Sequence, residues 1–119
     1  MINNNAEVYK ILSEIAPTEQ YAIDFNEDTV YPCISFAMKG NDDVYFADGK
    51  PRAVVYEVEV ETYQKRVNGE MKEIHFDVAN AMKREGYRQV FYDYIFDDEQ
   101  RIFNHILRFE KTIEYQKGE

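Results

Sequence analysis

The stretch Ala53-Val-Val-Tyr-Glu-Val-Glu-Val-Glu-Thr-Tyr63 decides the reading of this chain. On an extended backbone Val54, Tyr56, Val58 and Val60 point one way and Glu57, Glu59 and Glu61 the other. That period of two marks a long strand with one apolar and one solvated face. Side chains on one face recur about every 7 Å, so the three carboxylates form a ladder of negative charge that solvent or cross-strand cations must accommodate.

Working upstream, Pro32 opens a second alternating run in which Ile34, Phe36 and Met38 share a face; proline is tolerated at the first residue of a strand. Between the two runs, Lys39 to Pro51 is rich in turn formers (Gly40, Asn41, Asp42, Asp43, Asp48, Gly49, Pro51), with Val44, Tyr45 and Phe46 in its middle. This composition predicts a loop whose bulky residues either dock on a partner or fold back over the domain's own core. Further upstream, Asn26 to Asp28 reads as an acidic turn and Tyr21 to Phe25 as a brief strand. Asn4 or Asn5 is placed to cap a helix carrying Val8, Ile11, Leu12 and Ile15, which Pro17 closes.

Downstream, Asn68 is placed to cap a second helix with an inner stripe of Met71, Ile74, His75, Val78 and Met82. Gly86 stands where a left-handed C′ residue belongs. Arg88 to Phe96 then predicts a strand, Asp97 to Gln100 a hairpin turn, and Ile102 to Tyr115 a long returning strand, with residues 116–119 loose. The order predicts a single α+β domain over residues 1–119, an antiparallel sheet of four to five strands with two helices packed on one face.

Composition agrees with one compact core: 119 residues, 45% hydrophobic and 31% charged, are the proportions of an ordinary globular domain. No run approaches the roughly twenty apolar residues of a bilayer span, and the start lacks the pattern of a signal peptide, so a cytosolic protein is expected. Cys33 is the single cysteine, which excludes an internal disulfide and suits a reducing compartment. Ten tyrosines and eight phenylalanines suit either interfaces or strand cores. Charge is uneven. Residues 1–63 hold twelve acids against four bases, whereas residues 64–119 hold eleven against ten. So acidic a first half repels phosphate, which argues against groove-reading nucleic-acid binding.

No catalytic, cofactor or metal constellation emerges from the pattern. His75 and His105, the only histidines, have no zinc-type spacing and read as structural residues. Asp42, Asp43 and Asp48 crowd one segment without the alternate ligands and distal Glu of a calcium loop. Glu57, Glu59 and Glu61, alternating along one face of a strand, read as a solvated face and not as the carboxylates of a two-metal nuclease. There is no Gly-rich phosphate loop, no Gly-x-Ser-x-Gly elbow, and no Cys/His pairing beside Cys33. A binding or structural role is expected, without enzymatic activity.

The segment from Tyr31 to Val67 resembles the tail terminator and tail-completion (head-tail joining) proteins of long-tailed phages and prophages. The residues that carry the likeness are Pro32, Ile34 and Phe36, then Tyr45, Phe46, Ala47, Asp48, Gly49 and Lys50, then Tyr56, Val58, Val60, Thr62 and Tyr63. The chain departs from the family's pattern in carrying Phe46 between Tyr45 and Ala47, and Pro51 directly after Lys50.

The resemblance implies a virion structural subunit that closes into a homo-oligomeric ring, usually a hexamer, on the last ring of the tail tube. Its partners would be its own copies, the tail tube protein and a head-completion or connector protein. DNA would pass through without sequence-specific binding, and no membrane, cofactor or metal would be involved. Assembly would take place in the host cytoplasm and leave the protein in the virion neck. On this reading Asp42, Asp43, Val44, Tyr45, Phe46, Asp48 and Lys50 form a protein interface, and Glu57, Glu59 and Glu61 line a channel as a wall that repels phosphate. A different class, a bacterial small-molecule-binding or regulatory α+β domain, requires a deep pocket lined by the sheet's aromatics.

Overall fold

The computed structural model describes the backbone of residues 5–47, 49–66 and 68–114, and their side chains except at 41–47 and 50–52. The elements are α1 (Asn5–Ser13), β1 (Thr18–Gln20), β2 (Cys33–Ala47), β3 (Lys50–Lys65), α2 (His75–Arg84), β4 (Arg88–Asp97) and β5 (Ile102–Glu114). Five strands form one sheet in the order β1-β2-β3-β5-β4. All neighbours run antiparallel except β1 and β2, which are parallel. The architecture is α+β, as the order of sequence patterns requires.

Register assigns the faces. Phe36 pairs with Val60 and Val60 with Leu107, while Met38 pairs with Val58 and Val58 with Phe109, so these residues share one side of the sheet. Val8 and Leu12 of α1 and Val78 and Met82 of α2 belong to the same buried cluster as these strand residues. The opposite side carries Glu57, Glu59 and Glu61 on β3, with Arg108 and Glu110 opposite on β5.

Three sequence expectations are corrected. The loop expected over Lys39 to Pro51 is a continuation of the two strands: pairing runs from Gly40 with Glu57 up to Ala47 with Lys50, with an irregularity between Met38 and Gly40. Asp-Gly at 48–49 is a dipeptide favoured in two-residue hairpin connections, and Gly49 adopts φ 73°. Once β3 is in place, with Val54 and Val55 opposite Asp43 and Asp42, ladder hydrogen bonds outweigh the turn preference of the acids. The resulting hairpin makes the molecule elongated, 59 Å by 22 Å by 22 Å.

The second helix begins at His75 and not at Asn68. Asn68 and Gly69 both take positive φ, 51° and 80°, which is turn geometry. Ile74 precedes the helix without a side-chain cap. Lastly, the short strand near the N-terminus is Thr18–Gln20, earlier than the expected Tyr21 to Phe25. Tyr21 has φ 75°, a left-handed conformation that ends the extended run.

The remaining boundaries follow local chemistry. Gly86, at φ 91°, lets the Tyr87 N–H reach Met82 O at 3.0 Å and the Gly86 N–H reach Lys83 O at 3.0 Å, which closes α2 with a Schellman motif. Asn26 Oδ1 accepts from the Asp28 N–H at 2.7 Å, so the expected acidic turn forms. Asp97 Oδ1 accepts from the Gln100 N–H at 3.0 Å in the β4–β5 hairpin.

Candidate docking surface

The two edges of the sheet differ from its centre. Among the described residues β4 is paired on one side only, to β5. At the other edge β1 covers β2 only from Ile34 to Phe36, so among the described residues β2 has a strand partner on one side alone from Met38 onward. An edge of this kind presents unpaired N–H and C=O groups and is normally blunted by charge, proline or shortness.

β4 carries Arg88, Asp93 and Asp97 and an irregularity between Gln89 and Phe91, yet most of its side chains are apolar and exposed. Of the eleven large hydrophobic side chains exposed among the described residues, six lie on it: Val90, Phe91, Tyr92, Tyr94, Ile95 and Phe96. They project to both sides. Tyr92, Tyr94 and Phe96 sit in register with Leu107, His105 and Phe103 on the helix side, while Phe91 and Ile95 pair with Arg108 and Asn104 on the other. Phe76 of α2, 65% exposed, extends the aromatic surface on the helix side, its ring 4.1 Å from that of His75. Apolar side chains gathered this densely on an exposed edge strand mark a candidate interaction site.

Behind this edge the two histidines meet. His75 opens α2 and His105 lies mid-β5, and their rings stack at 3.8 Å between centroids with 16° between planes. Tyr92 Oη and His105 Nδ1 are 2.8 Å apart. Both imidazoles are buried, and His75 Nδ1 and His105 Nε2 have no hydrogen-bond partner among the described residues. Burial holds the pKa of His75 below its ordinary value against the opposing pull of the Glu73 carboxylate. His105 is lowered by burial first and then by His75, again opposed by Glu73. Sequence reading treats the two residues as separate structural histidines, because nothing in their spacing indicates that they touch.

The acidic ladder occupies the outer face, half-buried, and is partly neutralised. Glu59 accepts from Arg108 Nε at 3.0 Å and lies 3.6 Å from Lys39 Nζ. Arg108 also covers the Phe91 ring, 4.8 Å from its centroid. Glu57 stands opposite Glu110, whose carboxylate is bridged to Arg88. Glu61 lies between Ser35 and Ile106.

The candidate interface residues Asp42, Asp43, Val44, Tyr45, Phe46 and Lys50 have backbone positions in the hairpin, but their side chains lie outside the described residues, as does Asp48 altogether. Of these, Asp42 through Phe46 fall on the part of β2 whose outer edge is open.

Cys33 is buried in β2 and burial pushes its thiol up to about 11, so it is a poor nucleophile. Among the described residues no group of three or more His, Cys, Asp and Glu side chains is arranged to hold a metal, and no helix is long and apolar enough to cross a membrane. At the end of the sheet away from the hairpin, a cleft of about 560 Å³ is lined by Lys65, Arg66, Met71, Phe96, Arg101 and Phe103. Arg101 is engaged by Asp98 at 2.9 Å and Arg66 donates to Gly69 O at 3.1 Å. Compared with models of known protein families and with curated proteins, the chain gives no match.

Proposed function

We propose that this chain is a structural subunit that works by closing into a ring of identical copies, as a phage or prophage tail terminator or head-tail joining protein does. The observation that carries the reading is the aromatic edge strand β4, exposed on both of its sides. The likeness of the Tyr31 to Val67 segment to the tail-terminator family supplies the biological setting.

Heterologous ring contacts join two different patches of the same molecule. A sheet has two edges, so a ring built by strand addition brings β4 of one copy to the open edge of β2 in the next. Strand directions allow it. β2 and β5 run the same way and β4 runs against both, so β4 meets the next β2 as an antiparallel neighbour. The two segments match in length, with 10 residues in β4 and residues 38–47 on β2. They lie at different heights along the sheet, and the strand tilt of a closed sheet supplies that kind of offset. In this arrangement Asp42 to Phe46 belong to the interface, the hairpin tip reaches the tube, and Glu57, Glu59 and Glu61 face the channel.

The test is sedimentation velocity of wild type and of a Tyr94→Lys/Ile95→Lys variant, alone and with a purified phage tail tube protein. Wild type should form a ring alone or on the tube, and the variant should remain a folded monomer in both settings. A variant that assembles like wild type removes β4 from the interface. A wild type that stays monomeric and leaves the tube uncapped defeats the proposal.

A further inference from the structure

The histidine pair lies where three elements meet and directly behind the docking strand. His75 comes from the first turn of α2, His105 from β5, and Tyr92, bonded to His105, from β4. We infer that His75 and His105 form a proton-operated latch, which keeps β4 in its docking geometry while both rings are neutral and releases it when either takes up a proton. The docking half of this statement rests on the ring reading above; the latch itself is a property of the single chain.

The geometry leaves a cation no favourable place. Rings stacked face to face at 3.8 Å direct their nitrogens sideways, so neither imidazole can donate to the other. His75 is 7% exposed and His105 6%, and one nitrogen of each has no protein hydrogen-bond partner among the described residues. A proton gained there produces a buried, unpaired charge, which costs far more than a buried neutral group. His75 also sits at the positive end of the α2 dipole, which opposes its protonation further.

His105 has a second constraint. In the neutral ring Nδ1 can accept the Tyr92 hydroxyl proton; in the imidazolium Nδ1 carries its own hydrogen and Tyr92 must turn to accept.

The groups facing the pair on every side are few. From the segment before α2 comes Glu73, the one carboxylate among the described residues that favours the charged rings. β4 contributes Tyr92 and Tyr94, with the Tyr94 ring 6.1 Å from His105. Asp93, between them, pairs with Ile106 in the register of the opposite face. β3 contributes Thr62, opposite His105, whose hydroxyl lies 2.9 Å from the Gln64 carboxamide and carries no charge. One exposed glutamate against two buried rings does not balance a protonated pair.

The sign follows. Both folded-state values lie below the ordinary histidine value of 6.5, so the open form binds protons more readily. The contribution of the latch is present in full above about pH 6.5 and is lost as pH falls through the folded values. A charge on His75 further opposes charging of His105.

The experiment is deuterium exchange of wild type and a His75→Phe/His105→Asn variant at pH 7.5 and 5.5, corrected for intrinsic exchange rates. Asn retains an acceptor for Tyr92, and Phe retains a ring in the stack. Wild type should show a severalfold gain in exchange over residues 88–97 at pH 5.5, with residues 58–64 of β3 unchanged, and the variant should show no such gain. The same pH response in the variant, or equal gains in both strands of wild type, overturns the latch.

If the variant does not fold, the imidazole resonances of wild type decide. Titration midpoints below 6.5 for both rings agree with the latch, and a midpoint at or above 6.5 for either contradicts it. Sedimentation at the two pH values separates the two claims. Rings that dissolve at pH 5.5 support both. Opening of β4 in a chain that never associates, with or without tube protein, supports the latch and sinks the ring reading.

Discussion

β3, with four Val and two Tyr, and β4, with Val, Ile, Tyr and Phe, are both rich in strand-forming residues, yet they stand in opposite situations. β3 has a neighbour on each side, and its alternation separates buried Val58 and Val60 from half-buried Glu57, Glu59 and Glu61. β4 has one neighbour among the described residues, and its apolar residues point both ways. Apolar character on both faces is the signature of a strand covered on both faces. In β3 the pattern matches the environment the chain itself provides. In β4 it exceeds what the described residues provide, and that mismatch is the ground on which a cover by a second copy is proposed.

The contrast can be broken from the β3 side first. Phe109, opposite Val58 and fully buried in the central cluster, should lose about 3–5 kcal/mol of unfolding free energy on substitution by Ala, read by urea denaturation of the monomer. Cys33, at the end of the row through Tyr63 in β3, should react with iodoacetamide at pH 8 at least about a hundredfold more slowly in the folded than in the urea-unfolded chain, because burial suppresses its thiolate.

A smaller loss belongs to Glu59, the ladder residue with two cationic neighbours. Glu59→Gln should cost about 1 kcal/mol by the same denaturation assay, since Arg108 and Lys39 are left half-exposed to solvent. In β4, Ile95→Ser should change monomer stability by no more than about 0.5 kcal/mol while weakening association, which is the reverse of the Phe109 result. Glu57→Gln has the smallest expected effect, a gain of a few tenths of a kcal/mol, because it removes one of two carboxylates that face each other across β3 and β5.

Much of the frame was legible in the residues. The alternation from Ala53 to Tyr63 reports a face directly, and the spacing of Val8 and Leu12, or of Val78 and Met82 before Gly86, reports a helix and its inner side. Errors arose where a residue type has two local uses. Asn68 serves as a cap or as a positive-φ turn residue beside Gly69, and the turn won. Gly40, Asn41, Asp42 and Asp43 favour turns in isolation, and pairing to β3 overrode them.

Strand order is a third kind of information. Nothing local in Arg88 to Asp97 shows that the strand lies at an edge, and no spacing rule brings residue 75 to residue 105. Both the exposed aromatic edge and the histidine pair are products of topology, which is why the sequence pointed instead to the acidic and aromatic residues of the hairpin.

The central claim is that β4 is an edge awaiting a second copy. Its most direct measurement is amide exchange over residues 88–97 at pH 7.5 across a dilution series spanning free and associated protein. Protection that rises in β4 and over residues 38–47 together, in step with association, is the predicted result. Association that leaves exchange in β4 unchanged would contradict the account.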